Sequence, residues 1–163
     1  MTKVKNVLIT GGLGGIGINI CNLFIKDHNV IIVDNLPNKS FSKKLSDHSI
    51  INNKNIILYK KIDLTKTSQI KNLFRQLKRK FSSIDILINC AGIQHVSSVE
   101  NFSEEMWEKV ISINLSSSFY TSKYALPLMK KNNWGRIINI ASAHGQVASV
   151  NKSGYVASKH GMI

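Results

Sequence analysis

The chain reads as an α/β domain, a parallel sheet of short strands with helices on both faces. Three observations carry this. Strand-like and helix-like segments alternate from end to end. Each strand is a continuous apolar run without the in–out alternation of a sheet that faces water on one side. And a glycine-rich turn, GGLGGIG, joins the first strand directly to the first helix.

Taken in order, Val4 to Thr10 (VKNVLIT) is the first strand. Past the glycines, Ile16, Ile20, Leu23 and Phe24 recur at helical spacing and end near Asp27. Val30 to Val33 is a second strand, closed by Asp34. The segment from Asn35 to Asn55 is polar and turn-rich, with room for one short helix. Ile56 to Tyr59 is a third strand, with Asp63 shortly beyond it. Ser68 to Phe81 is an amphipathic helix, carrying Ile70, Leu73, Phe74, Leu77 and Phe81 on one face. Ile84 to Asn89 is a fourth strand running into Cys90, Ala91 and Gly92. A long helical region follows from about Ser103 to Met129, broken before Glu104 and ended near Asn132 and Asn133, and Pro127 is expected to kink or shorten its last turns. Gly135 to Ile140 is a fifth strand, and Tyr155 opens another helix. That helix runs only about two turns to Ile163 without a Gly, Pro or cationic cap. The expectation is one incomplete domain over residues 1–163, cut at its C-terminal end.

A length of 163 residues suits one domain with its own core, and 43% hydrophobic content is ordinary for a globular chain. No run approaches the roughly 18–20 apolar residues of a membrane helix, and MTKVKNVLIT lacks the apolar core of a signal peptide. A cytoplasmic chain without a membrane partner is expected. Cys21 and Cys90 lie in apolar or small-residue contexts without metal-ligand spacing, which reads as two buried, reduced thiols and no metal site. The net charge of +13 is spread along the chain. Its densest patch, Lys71, Arg75, Lys78, Arg79 and Lys80, faces away from the apolar stripe of its helix, and no aromatic residues interleave with it. It reads as a solvated face rather than a nucleic-acid surface.

The turn Thr10-Gly11-Gly12-Leu13-Gly14-Gly15-Ile16-Gly17 has a strand before it, a helix after it and an acidic residue at the end of the next strand. Glycines permit the tight turn and close backbone approach, and the helix N-terminus offers free N–H groups to a pyrophosphate. Asp34 is the acidic residue. A carboxylate there accepts hydrogen bonds from ribose hydroxyls and repels a 2′-phosphate, which favours NAD over NADP. Asp63 either caps the following helix or bonds an adenine amino group. Asn89, Ala91 and Gly92 bring small residues to the end of the fourth strand, where backbone can pass close to a cofactor. Asn114 sits mid-helix, a poor propensity choice that points to a hydrogen-bonding task. Tyr155 and Lys159 stand one helical turn apart, on one face. In a chain this rich in Lys, that pair alone is close to coincidence.

Read in order, TGGLGGIG, Asp34, Asp63, NCAG, Asn114, Ser142 and YVASK resemble the short-chain dehydrogenase/reductase superfamily over the whole chain. Within it, NCAGIQHV, INLSSSF, WGRIINIASAHG and the approach Lys152-Ser153-Gly154-Tyr155 are similar to the bacterial D-3-hydroxybutyrate dehydrogenases. One departure is Cys90, where the family often has a second Asn. The other is length: full-length members carry two more strands, a substrate lid and much of an oligomer interface.

The resemblance implies a Rossmann-type doubly wound sheet with strand order 3-2-1-4-5, here lacking the last two strands. It implies NAD as cofactor, a small hydroxy-acid substrate, and a homotetramer for full-length relatives. Tyr155 is then the acid/base that exchanges a proton with the substrate oxygen. An unassisted phenol near pKa 10 is a poor base at neutral pH, and a neighbouring ammonium favours the phenolate. Lys159 would supply that charge and hold the nicotinamide ribose, Ser142 would hydrogen-bond the reacting oxygen, and Asn114 would hold a proton-relaying water. Gln94, His144 and Lys152 match positions that grip the substrate carboxylate, and an amide, an imidazole and an ammonium are suitable donors to one. For His144 alone, a local loop hydrogen bond is the default. The implied reaction is hydride transfer between NAD and (R)-3-hydroxybutyrate, giving acetoacetate. Two alternatives stand beside it: a dehydrogenase of another small hydroxy compound, and an inactive remnant that at most binds dinucleotide.

Overall fold

The computed structural model describes residues 3–37, 43 and 55–163. Five parallel strands form one sheet: β1 (Asn6–Thr10), β2 (Asn29–Asp34), β3 (Ile56–Lys61), β4 (Ile86–Asn89) and β5 (Arg136–Asn139). Their order is β3-β2-β1-β4-β5, as expected. β1 is central, with Val7 opposite both Val30 of β2 and Ile86 of β4. The order reverses at β1, and the crevice above the carboxyl ends of β1 and β4 is where such sheets bind ligands. Of the segment from Asn35 to Asn55, where one short helix is expected, residues 38–42 and 44–54 lie outside the described residues.

Successive strand residues point to opposite faces, and each face has its own core. Leu8, Ile31 and Leu87 pack beneath α2 (Thr67–Lys80) and α4 (Ser117–Lys130), against Ile70, Leu73, Phe74, Leu77, Ala125, Leu128 and Met129. Val7, Ile9, Val30, Ile32 and Ile88 pack on the other side with Ile18, Cys21 and Ile25, from α1 (Gly15–Phe24) and its C-terminal cap. Burial on both faces is why β1, β2 and β4 read as apolar runs, whereas β5 at the sheet edge is mostly exposed. In α2 the buried residues recur at helical spacing, and Lys71, Arg75, Lys78, Arg79 and Lys80 are exposed. Each such buried side chain contributes about 1.5–3 kcal/mol, so the apolar stripe, not propensity, seats this helix.

The long helical region differs from expectation. It starts at Glu104, where the Ser103 hydroxyl accepts from Met106 N at 3.3 Å and two glutamates occupy the first turn. α3 (Glu104–Ile111) then widens into one turn of π-helix at Ser112–Ser116 before continuing as α4. Pro127 lies inside α4 and does not end it; its side is exposed, so water can satisfy the carbonyl one turn back that its missing N–H leaves unpaired. The break falls instead at Asn114, whose side chain is drawn out of the helix surface toward the loop after β4. The last helix, α5 (Ser153–Met162), packs against α3 and the π-turn.

Candidate active site

A cleft of about 410 Å³ opens above the carboxyl ends of β1, β2 and β4. Its walls include Gly11, Gly14, Gly15, Ile16 and Gly17 of the glycine turn, Asp34, Asp63, and Cys90 to Ile93. Gly11 has φ +63°, a conformation that side chains disfavour, and a Cβ there would stand 2.6 Å from the Ala91 Cα. A Cβ on Gly17 would overlap the Gly11 carbonyl. These two glycines let the turn fold onto β4 and let α1 start directly beneath it. Gly14 caps α1 without a side-chain hydrogen bond, no acidic residue stands in its first turn, and Gly15 faces open space. The helix N-terminus therefore presents its N–H groups and positive dipole end to the cleft. An anionic ligand fits there.

Asp34 ends β2, and its carboxylate accepts from Leu13 N at 3.0 Å, Asn35 N at 2.8 Å and Leu36 N at 3.4 Å. It ties the glycine turn to the next strand while lining the cleft. Asp63 accepts from both the Thr65 hydroxyl (2.7 Å) and Thr65 N (2.9 Å). The Thr65 hydroxyl is the main reason its carboxyl lies below the ordinary range, with Thr65 N, Lys66 and Lys109 adding to it. Asp63 thus holds a turn ahead of α2 and does not cap the helix, whose cap position is Lys66 without a side-chain bond, and the same residue lies in the cleft wall. Thr10 and Asn89 lie beneath the cleft. The Thr10 hydroxyl accepts from Cys90 N (3.2 Å) and Ala91 N (3.3 Å), and Asn89 Oδ1 accepts from the Thr121 hydroxyl at 2.7 Å.

Cys90 corrects an expectation. Cys21 is buried, and burial pushes its thiol up to about 12. Cys90 is only half-buried and lines the cleft, because it follows the last residue of β4, where the chain leaves the sheet. Burial raises its thiol above the ordinary value, Asp34 adds to that, and Lys159 opposes it.

Asn114 is fully buried, and its amide bridges two elements. Oδ1 accepts from Ile93 N (2.8 Å), and Nδ2 donates to Ile93 O (2.9 Å) and to the Ser158 hydroxyl (3.1 Å). Lys159 is 5% exposed and donates to the Ile140 carbonyl at 2.7 Å. Burial holds its ammonium below the ordinary 10.5 and Cys90 opposes this, with no carboxylate partner among the described residues. Its Nζ lies 5.7 Å from the centre of the Tyr155 ring. Tyr155 stands in the first turn of α5, seated by Gly154, which is pressed against Phe102, Trp107 and Val110. Its ring meets the His144 ring edge-on, with centroids 6.1 Å apart.

Ser142 follows β5 and accepts from His144 N at 3.2 Å, so its own hydroxyl proton stays available. The Lys152 ammonium reaches His144 Nε2 at 3.5 Å. An ammonium can only donate, so Nε2 accepts and the ring proton of the neutral tautomer sits on Nδ1. That nitrogen is buried and has no partner among the described residues. Ser142, His144, Lys152 and Tyr155 thus converge from two loops and one helix. Gln94 stands exposed on the loop after β4, with no hydrogen bond to this group. The same loop is fastened to the approach of α5 by Ser97 N donating to Asn151 O at 2.9 Å. Sequence reading missed Ser158, Thr121, Asn139 and the Ile140 carbonyl. Only the buried polar character of Ser158 and Thr121 inside helices could have signalled them.

The sheet order and the open helix terminus above it define a Rossmann-type α/β scaffold. The family model for short chain dehydrogenases matches residues 5–163, and the chain belongs to that family. It is 42% identical over 159 residues to the D-beta-hydroxybutyrate dehydrogenase of Rhizobium meliloti (strain 1021), covering 98% of this chain and 62% of that protein. It is 40% identical over 163 residues to the D-beta-hydroxybutyrate dehydrogenase of Cupriavidus necator, covering 100% of this chain and 62% of that protein. Among solved structures, a 4-hydroxyisoleucine dehydrogenase complexed with NADH superposes with a TM-score of 0.84 at 35% identity, over 97% of this chain and 63% of that one. The chain therefore spans about 62% of the length of these curated relatives. Among the described residues no helix is long and apolar enough to cross a membrane.

Proposed function

We propose that this chain carries the cofactor site and proton-transfer group of an NAD-dependent dehydrogenase interconverting (R)-3-hydroxybutyrate and acetoacetate. The observation that carries the substrate class is the Lys152 ammonium meeting His144 at 3.5 Å, directly beside Tyr155. The Lys152 ammonium keeps two N–H groups beyond the one it gives to His144 Nε2, and these suit a carboxylate one short carbon spacing from a reacting hydroxyl. The two D-beta-hydroxybutyrate dehydrogenases to which the chain is similar support the same reading.

Gly11, Gly15, Ile16 and Gly17 would hold the pyrophosphate at the α1 terminus, Asp34 the adenosine ribose, and Asp63 the adenine edge. Bound there, the nicotinamide supplies the hydride acceptor for oxidation and the donor for reduction. Tyr155 takes the substrate's hydroxyl proton in oxidation and returns it in reduction, while the Ser142 hydroxyl donates to the same oxygen and fixes its position. The buried Lys159 charge stabilises the phenolate that Tyr155 is before it takes the proton and becomes again after it returns it. Asn114 Oδ1 keeps one lone pair after accepting from Ile93 N. With it Asn114 holds a water beside Lys159, through which the proton leaves.

The test is made on the purified 163-residue chain: NADH binding by fluorescence, and acetoacetate-dependent loss of NADH absorbance. NADH should bind and acetoacetate be reduced, with Lys152→Ala raising KM by about tenfold or more while kcat moves little. Ketones without a carboxylate being reduced equally well would sink the substrate assignment. Absence of NADH binding would sink the whole reading. The exposed position of Gln94 favours a second reading, a somewhat longer hydroxy acid, and the same assay across chain lengths separates the two.

A further inference from the structure

Ser158 lies one residue before Lys159, is 0% exposed, and plays no part in the roles assigned above. Its hydroxyl donates to the Tyr155 carbonyl at 2.7 Å, within the same helix. A hydroxyl has one proton. With that proton committed, the Ser158 oxygen meets the Asn114 amide only as an acceptor, and Nδ2 donates to it at 3.1 Å. The second Nδ2 proton goes to Ile93 O at 2.9 Å, so both donors of the amide are used. Turning the amide over would set Oδ1 against two acceptors and Nδ2 against the Ile93 N–H.

The direction this enforces matters beside Gly92. A Cβ at that glycine would stand 3.5 Å from Asn114 Oδ1 and 3.9 Å from Lys159 Nζ, so the amide oxygen and the ammonium border one small space. An oxygen and an ammonium can share a bridging water between them; two nitrogen donors could not hold it in the same sense.

We propose that Ser158 is a positioning residue that anchors the Asn114 amide with its oxygen toward Lys159, and so keeps the π-turn at Ser112–Ser116 in register with Tyr155 and Lys159. The proposal rests on the proton-transfer role given to these residues above. Ser158 has no hydrogen bond to Gln94, Ser142, His144 or Lys152. Its loss should therefore slow turnover and spare substrate binding.

The experiment compares the full chain with Ser158→Ala by two readouts. The Asn114 side-chain NH₂ signal, assigned by its disappearance in Asn114→Ala, should shift upfield in Ser158→Ala and exchange faster with solvent. Acetoacetate reduction should lose about three- to tenfold in kcat with KM within about twofold. An unchanged Asn114 amide signal with unchanged exchange overturns the proposal, whatever happens to the melting temperature. A shifted signal with kcat intact and KM raised overturns it too. If the unaltered chain reduces no acetoacetate, the dehydrogenase reading fails, and the amide signal alone still decides whether Ser158 anchors Asn114.

Discussion

The Lys159 ammonium donates to the Ile140 carbonyl at 2.7 Å, tying the helix that carries Tyr155 to the residue that leaves β5. The bond joins two segments that are distant in sequence, and it sets a charge below the surface beside the cleft. Burial depresses this ammonium, so between its depressed value and the ordinary 10.5 the unfolded chain binds more protons than the folded one. Stability from this group therefore rises as pH climbs through that window. In Lys159→Met the gradient is gone. Thermal melts from about pH 8 to about pH 10 should show the variant's stability relative to the unaltered chain falling as pH rises. A difference that stays constant across that range would mean Lys159 carries no burial cost.

Gly15 and Gly17 sit two residues apart in one turn and should respond oppositely to alanine. A Cβ on Gly15 meets nothing within 4 Å, whereas one on Gly17 collides with the Gly11 carbonyl. Gly15→Ala should fold with stability within about 0.5 kcal/mol of the unaltered chain, yet weaken NADH binding, since the methyl projects into the space above the helix terminus. Gly17→Ala should lose about 1–3 kcal/mol from overpacking against backbone that cannot rotate away. Denaturant melts paired with NADH titration separate the cases. Equal NADH affinity in Gly15→Ala and the unaltered chain would remove the glycine turn from the pyrophosphate site.

Asp34 serves both the turn and the ligand, which Asp34→Asn can pull apart. Asn retains one oxygen, which can accept from Leu13 N or from Asn35 N and Leu36 N but not from both sides, so the negative charge disappears at a cost of about 1–3 kcal/mol in stability. The fold should persist. The unaltered chain should bind NADH at least about tenfold more tightly than NADPH, and the variant should bring the two together, because repulsion of a 2′-phosphate is lost. Titrating each chain with both dinucleotides checks this. An unaltered chain that prefers NADPH contradicts the role given to Asp34.

A parallel sheet covered on both faces was legible because such burial leaves unbroken apolar runs such as Val30 to Val33, whereas the strand order came only from the resemblance to the short-chain dehydrogenases. Asp34 in the cleft wall was legible from its place closing β2, whereas Tyr155 and Lys159, one turn apart, pointed to a site only in company with the other motifs. The π-turn was not. Pro127 is a strong local breaker, and local propensity alone puts the distortion there. What moved it to Asn114 is a pair of hydrogen bonds to Ile93, which appear only once the loop after β4 has been folded against the π-turn. Ser158 was hidden for the same reason, since its partner Asn114 lies on another helix. Cys90 was misread as buried because the small residues around it look like core until the strand is seen to end at Asn89.

Thr10 tests how far the cleft depends on struts beneath it. Its hydroxyl accepts from both Cys90 N and Ala91 N, at the point where β4 gives way to the cleft wall. Valine has nearly the same shape but no acceptor, so Thr10→Val strands two backbone N–H groups beside a residue that is 1% exposed. Each buried donor left without a partner costs about 1–3 kcal/mol, and relaxation of the loop toward water should bring the total to the lower part of that range. Thr10→Ser keeps the oxygen and should cost less than about 1 kcal/mol, mostly from the lost methyl. Because Ala91 and Gly92 line the cleft, Thr10→Val should also weaken NADH binding while Thr10→Ser does not. Urea denaturation with NADH titration on both variants measures the two effects together. Equal losses in the serine and valine variants would assign the role of Thr10 to packing rather than to its hydroxyl.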